Sequence, residues 1–539
     1  MSTFKARQKA LRSSTQKFLA TSALTAAGLV SMGITANAQN VAPDALPQGA
    51  EVTRGSATYD YSQPNTLTIE QHAALTSAEY KGGFNIGQNA AVLMLQDSGD
   101  IFVHIDKSDN TSFIEGLFSG SGSNFVLNKN GVIVTGTARI DMNSFVASTA
   151  ESLDLDRLDA EGKAVFTDFG EGAIIIEEGA TVTVAEAGLA AFVSPFVSNA
   201  GVINARMGTV AIGAGETVTL DLYGDGLVEL AVEGELGDAL IENTGTISAE
   251  GGKVQISARA AKDAVDNIIN VDGVVTASSA SVQGGKIVLS GGNKGTVAVK
   301  GTVDASGEGA GDIDVTGENI TIADTAELKA DGGENGDGGN IKIIASDKAI
   351  FRGSASARGG AVSGKGGFVE TSGHGYISVG GGTVDTRAAD GTAGLWLIDP
   401  ADITIVDGTT GGDFAPVGAT STIGWGDITA ALVGNNVLIT TANGVGGNGD
   451  ITFAQAAGAS ISSGLDRTLE FAADRDIVVN EFLSLLNFDV ILGAGRDVVF
   501  NDQFGLNNAD LTVNAGDDIF VNSGATVGAT ASAGNVTLS

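Results

Sequence analysis

A five-residue phrase recurs down the middle of the chain: Gly245-Thr-Ile-Ser-Ala249, Gly273-Val-Val-Thr-Ala277, Gly301-Thr-Val-Asp-Ala305, Ala326-Glu-Leu-Lys-Ala330, Gly353-Ser-Ala-Ser-Ala357 and Gly382-Thr-Val-Asp-Thr386. The copies are spaced by 28, 28, 25, 27 and 29 residues, so whatever this chain folds into must be built from a repeated unit. Each copy is a turn residue followed by alternating apolar and polar positions, the pattern of a short strand with one buried face. A second strand follows paired glycines: Gly251-Gly252 before Val254 and Ile256, Gly284-Gly285 before Ile287 and Leu289, Gly338-Gly339 before Ile341 and Ile343. Several short strands per repeat, with no helical periodicity between them, predict one coil of a parallel β-helix. A single coil cannot bury its own apolar face and must stack on neighbours. The expected class is therefore all-β, a right-handed parallel β-helix with an N-terminal cap.

Composition sharpens this. Glycine is abundant at 78 of 539 residues but proline numbers only 6, which excludes collagen, and 43% hydrophobic residues exclude a disordered chain. Acidic residues outnumber basic ones 64 to 29, for a net charge of −35, which argues against nucleic acid or an anionic membrane as a partner. Phenylalanine divides the chain: ten fall between Phe84 and Phe196 and none between Phe196 and Phe351. A thick aromatic first domain leading into thin aliphatic coils is the expectation, since a stack needs a cap over its first strand edges.

The amino end carries Lys5, Arg7, Lys9, Arg12 and Lys17, then an uncharged stretch from Phe18 to Ile34, then Ala36-Asn37-Ala38. Basic region, apolar region and small-residue site in that order read as a secretory signal peptide cut before Gln39. A membrane anchor is the alternative, disfavoured by the shortness of the stretch and its Ser, Thr and Gly content. No later segment offers about 20 consecutive apolar residues, so the mature chain is expected not to span a membrane. The absence of cysteine in an exported chain fits either stability supplied by the repeats or passage of an unfolded chain across a second membrane.

A different repeat emerges late: Arg475-Asp476-Ile477-Val478, Arg496-Asp497-Val498-Val499 and Asp517-Asp518-Ile519-Phe520, stepping by 21 residues. It predicts a second stretch of solenoid with a charged pair at a fixed corner. The expected organisation is a signal peptide over 1–38, a capped secretion domain over 39–198, repeats of about 27 residues over 199–390 and repeats of about 21 over 391–539, where the lack of a visible cap suggests truncation.

The secretion assignment comes from a resemblance. Leu46-Pro47-Gln48-Gly49, Gly83-Phe84-Asn85-Ile86-Gly87, Ile114-Glu115-Gly116, Phe125-Val126-Leu127-Asn128-Lys129-Asn130-Gly131-Val132 and Phe145-Val146-Ala147-Ser148-Thr149 follow one another over about a hundred residues. In order and spacing they resemble the N-terminal secretion domain of the filamentous haemagglutinin family, the exported members of two-partner secretion systems of Gram-negative bacteria. That family has Asn-Pro-Asn-Gly where this chain has Asn128, Lys129, Asn130 and Gly131. Asn side chains bond nearby backbone and tolerate a left-handed conformation, and Gly takes positive φ freely, so the tetrad reads as a tight turn that has lost proline's fixed φ. Gly366-Gly-Phe-Val-Glu-Thr-Ser-Gly373 and Trp396-Leu-Ile-Asp-Pro-Ala-Asp-Ile403 also resemble phrases of these proteins. The resemblance implies a secreted or cell-surface adhesin-like protein, associated with the outer membrane, whose partners are an outer-membrane β-barrel transporter and an unidentified surface receptor or glycan. The export and stalk region of a contact-dependent toxin or cytolysin is the first alternative, and a β-helix enzyme that cleaves polysaccharides is the second.

Chemistry is sparse. The three histidines, His72, His104 and His374, have no metal-ligand spacing and read as surface or turn residues. No Gly-x-Ser-x-Gly elbow occurs, and without cysteine neither thiol catalysis nor Cys-ligated zinc is possible. Asp312 and Asp314 lie two apart on one strand face, as in a β-helix that cleaves acidic polysaccharides, although a solvated charged face explains them better. Residues 332–340 lack the order of a calcium-binding nonapeptide. No catalytic residue, metal or cofactor is expected.

Overall fold

The computed structural model describes residues 41–222, 229–234, 236, 239–259, 269–279, 284–389, 392–410, 420–454, 457–460, 466–529 and 534–539. The signal peptide and its cleavage site at Ala36, Ala38 and Gln39 lie outside the described residues. Each coil of the central stretch contributes three short strands. Ile269–Val271, Val274–Thr276 and Lys286–Ser290 pair in parallel with Thr296–Val299, Thr302–Asp304 and the Asp312–Thr316 part of the next long strand. The fold is a parallel β-helix.

The repeated phrase forms one wall of it. Ile247, Val275, Val303, Leu328, Ala355 and Val384 stand in a single column, each registered on the next. All six are buried, while their flanking polar residues face outward. The phrase opens with glycine because the coils touch there. A Cβ on Gly273 would run into the carbonyl oxygen of Gly245, and one on Gly301 into that of Gly273. The strand after each glycine pair forms a second wall, in which Val254, Ile287, Ile313, Ile341, Val369, Trp396, Val437, Leu469, Val490 and Leu511 make a continuous inward column. Burying a side chain of this size contributes roughly 1.5–3 kcal/mol, so the column is the main cohesive element of the stack.

The amino end is closed by antiparallel pairing. Ala50–Arg54 runs against Leu75–Tyr80 and Ala57–Asp60 against Thr66–Gln71, after which the coils continue in parallel. Beneath these strands lie Tyr80, Phe84, Phe102, Phe118, Phe145 and Phe192, all fully buried, with neighbouring rings in edge or tilted contact. His104 belongs to this aromatic core, which corrects its reading as a surface or turn residue. It is completely buried, stacked on Phe102 at 4.3 Å between ring centres. Tyr80 bonds its Nδ1 at 2.9 Å and Asn124 Oδ1 its Nε2 at 3.2 Å. The cause lies in strand alternation, which puts position 104 on the same face as Phe102.

A second core lies outside the coils. Strands Ala150–Leu153, Lys163–Phe169, Thr217–Asp221 and Glu229–Glu233 form an antiparallel sheet with the short helix Leu155–Glu161 beside it. They cover outward apolar residues of the wall beneath, among them Val103, Phe125, Val146 and Ala191, with Phe125 stacked on Phe166. Two of the four strands come from beyond residue 198.

At the other end the 21-residue period appears as strict register: Ile477 pairs with Val498 and Val498 with Ile519, Leu483 with Phe504, and Val490 with Leu511. The charged corner links adjacent coils. Arg475 forks onto Asp450 of the coil before it, and Arg496 onto Asp476. The helix Trp425–Leu432 marks the passage between the two stretches, with Trp425 stacked on Phe453. Among the described residues no helix is long and apolar enough to cross a membrane.

Candidate functional site

The phrases that carried the family resemblance meet at one corner of the first coils. Gln48 N donates to Gly83 O at 3.1 Å, and Gly82 N returns a bond to Gln48 O at 3.1 Å. Ile86 N donates to Phe113 O at 2.8 Å and Glu115 N to Ile86 O at 2.7 Å, while Phe113 N donates to the Asn85 side chain at 2.9 Å. Asn128 N donates to Ser148 O at 2.9 Å. Polar residues stand at these positions because the corners bury backbone groups that the strand ladders leave unpaired.

The tetrad lies at the centre of this corner, between strands Leu117–Leu127 and Val132–Val134. Asn128 is 1% exposed. Its Nδ2 donates to Asn110 O at 2.9 Å and to Ser112 Oγ at 2.8 Å, and its Oδ1 accepts from Asn130 N at 2.9 Å. That last bond is an Asx turn, closed further by Gly131 N donating to Asn128 O at 2.9 Å. Asn130 Nδ2 donates to Ser108 O at 3.0 Å. Only Gly131 of the four takes positive φ, at 110°, and a Cβ there would sit 2.8 Å from Ala173 O. The left-handed geometry expected of the asparagines is absent, because their amides hold the turn by hydrogen bonds instead. Lys129 is the exposed member; its ammonium lies 3.5 Å from Glu151 at the surface, while its carbonyl accepts from Gly172 N at 3.1 Å in the coil above.

The loop beneath the tetrad escaped the reading of the sequence. Asp106, 4% exposed, accepts from Phe84 N at 2.8 Å, Ser108 N at 2.8 Å and Ser112 Oγ at 2.6 Å. The signal available was the run Asp106-Lys-Ser-Asp-Asn-Thr-Ser112, seven polar residues between two apolar strands.

The other candidates separate. Asp312 and Asp314 both face outward, the first accepting from Asn340 Nδ2 at 2.8 Å and the second 3.1 Å from Lys286, so each is held by a different neighbouring strand. In the glycine-rich stretch 332–340, Asp337 accepts from Lys365 N at 2.7 Å, and Glu334 N donates to Glu308 at 2.8 Å. Among the described residues no group of three or more His, Asp or Glu side chains is placed to hold a metal. His72 is exposed and His374 half-buried. The two later family phrases pair as neighbouring strands, with Trp396 Nε1 donating to Thr371 Oγ1 at 3.0 Å. Asp399 is fully buried and accepts from Asn443 Nδ2 at 2.7 Å; desolvation raises its carboxyl pKa above the ordinary value.

A family model described as the TPS secretion domain matches residues 44–315, about half of the chain. Two curated relatives, each named Heme/hemopexin-binding protein and both from Haemophilus influenzae, are 28% identical over 253 residues and 25% identical over 273. These matches take in 46% and 47% of this chain but only 27% and 29% of the relatives, so the chain spans little more than a quarter of their length. The crystal structure of the HMW1 secretion domain from Haemophilus influenzae, 22% identical, superposes with a TM-score of 0.54 over 65% of this chain and 100% of that one, and shares its fold. The chain belongs to the TPS secretion domain family, the exported members of two-partner secretion.

Proposed function

We propose that this secreted exoprotein, whose secretion domain implies an outer-membrane transporter partner, acts as an adhesin or matrix component, and that the Asn128–Gly131 corner is its secretion determinant. The observation that supports the attachment role is the wall of the stack, one sheet joining strands from Ala50–Arg54 to Val536–Leu538, which offers a long polar outer surface without a cluster of reactive side chains among the described residues. In this reading 39–198 directs export, 199–390 and 391–539 form the displayed stalk, and the partner is a β-barrel transporter that takes up the chain after removal of residues 1–38. The surface ligand is a receptor or glycan, and no catalytic step is involved. Deleting the gene should abolish attachment of the producing cells to a surface that the purified protein coats; unchanged attachment overturns the adhesin reading.

A second reading is binding of haem or a haem-carrying protein, favoured by the printed name of the two relatives. With His104 sealed in the cap, an exposed imidazole ligand would have to be His72 or the half-buried His374. A Soret shift on titrating the purified protein with haemin, lost in His72→Ala or His374→Ala, would select this reading over attachment.

For the corner, Asn130→Ile removes the amide that holds Ser108 O, and should be processed before Gln39 yet stay in the cells. Lys129→Pro should be exported at least as well as the parent. Normal export of the Asn130→Ile chain would make the tetrad an ordinary structural turn.

A further inference from the structure

We propose that Asp106 is the positioning residue of the secretion corner, acting through Ser112 on Asn128; this rests on the tetrad being the secretion determinant. The carboxylate is buried against three donors from three places in the chain. Phe84 N belongs to the Gly83–Gly87 phrase, Ser108 N to its own loop, and Ser112 Oγ to the strand that leads toward the next phrase. Among the described residues no Lys or Arg side chain pairs with it, and hydrogen bonds hold the carboxylate. Because the Ser112 hydroxyl donates its one proton to Asp106, it presents a lone pair to Asn128 Nδ2 at 2.8 Å. Together with Asn110 O, which accepts from the same nitrogen at 2.9 Å, that fixes the Asn128 amide with its nitrogen inward and its oxygen toward Asn130 N, the orientation the Asx turn requires. Asp106 thus orients Ser112 to share with Asn110 O in holding Asn128 the right way round, without touching the tetrad. In an unfolded chain Asp106 is 22 residues from Phe84 and 6 from Ser112, and Ser112 is 16 from Asn128, so the turn takes its working form only once two coils have closed.

Replacing the carboxylate has graded consequences. Asp106→Ala strands all three donors; Asp106→Glu displaces the oxygens by a methylene; Ser112→Ala cuts the link to Asn128 while leaving the two backbone bonds of Asp106 in place. The experiment measures the exoprotein in the medium relative to that retained, with the transporter present, for Asp106→Ala, Asp106→Glu, Ser112→Ala, Asn128→Ala and the double variant Asp106→Ala/Asn128→Ala. Asn243→Val is the comparison: it breaks an equally buried side-chain pair, Asn199 with Asn243 at 2.7 Å, away from the corner.

The expected result is a loss of about tenfold or more for Asp106→Ala and Asn128→Ala, no rescue by Glu and a smaller loss for Ser112→Ala. The double variant should be no worse than the poorer single, and Asn243→Val should be exported close to the parent level. Losses that multiply in the double variant, or an Asn243→Val loss equal to that of Asp106→Ala, would reduce Asp106 to one more stabilising contact and overturn the proposal. Normal export of Asp106→Ala beside failed export of Asn128→Ala overturns it while sparing the tetrad. Normal export of both removes the tetrad reading itself, and this inference with it.

Discussion

The two ends of the molecule solve one problem differently. Near the amino end the first coils have a neighbour on one side only, and they are held by large aromatic side chains, a second core and polar bonds each made once. Toward the other end every coil repeats its neighbour, and the same few bonds recur at a step of 21 residues. Asn501 donates to Asn480 at 2.8 Å and Asn522 to Asn501 at 2.6 Å, while Asp497 N donates to Asp476 and Asp518 N to Asp497. A first coil cannot copy a template and must be specified by its own residues. Later coils need only match what lies beneath them. Single substitutions should therefore be felt far more in the cap than in the terminal ladder.

The largest effect is expected from the cap's aromatic core. Phe118→Ala removes a fully buried ring in contact with Phe84, His104 and Phe145, and should cost about 3–5 kcal/mol. Denaturant unfolding followed by protease resistance of the cap would register it; a shift no larger than that of an exposed-residue control would break the comparison.

Acid should come next, and should act on the cap selectively. Burial holds His104 neutral, with its pKa lowered to about 3. The unfolded imidazole titrates near 6.5, so between those values the unfolded chain binds more protons. The contribution is therefore whole above about pH 6.5 and is lost as pH falls toward 3, at roughly 1.4 kcal/mol per pH unit. Among the described residues no charged group compensates: Asp106, on the same face of the strand, is turned to Phe84 N, Ser108 N and Ser112, and the other titratable neighbours are the phenols Tyr80 and Tyr59. Hydrogen exchange at pH 7.5 and 5 should show cap amides losing protection while the 21-residue coils, which contain no histidine, keep theirs. His104→Gln should flatten the difference.

Gly131→Ala should follow at about 1–3 kcal/mol, from its positive φ and from the approach of Ala173 O. A change in Tm within error would show that the corner yields. Smallest of all is Arg496→Met in the terminal ladder. The Arg496 bond draws the Asp476 carboxyl below its usual pKa; Asp476 is buried but the Arg496 head is half exposed, so the effect should be small and should shrink at high salt. A Tm drop rivalling that of Gly131→Ala would mean that the ladder, too, is specified residue by residue.

The same contrast governs what could be read from the sequence. The column from Ile247 to Val384 was legible because a fixed period displays it, and the glycine pairs marked the strand that follows. The single-copy features were not. His104 stands in Ile101-Phe-Val-His-Ile-Asp106, where nothing but alternation with Phe102 places it inside. The outer sheet joins strands more than forty residues apart by ordinary antiparallel pairing, as Lys163 with Asp221 shows. The corner was recognised by likeness, whereas Asp106 lay in a loop that carries no familiar phrase. Even the charged repeat was only half legible: Arg475 and Asp476 adjoin in sequence, yet each Arg forks onto the acid of the preceding coil, so the partner of Arg475 is Asp450, which lies outside the repeated phrase.

That offset has a direction. Backbone donors of later coils reach carboxylates of earlier ones in several places: Arg358 N to Asp331, Lys365 N to Asp337, Asp497 N to Asp476, Asp510 N to Asp489 and Asn535 N to Asp510. In these five the acceptor is upstream, whereas in the cap Phe84 N and Gly136 N reach forward, to Asp106 and Glu177. For a thread delivered amino end first, each arriving segment meets a docking point already set in place, whereas retreat must break bonds just made. Beyond the cap the stack is then a toothed rack whose backbone-to-carboxylate teeth at these corners lean toward the amino end.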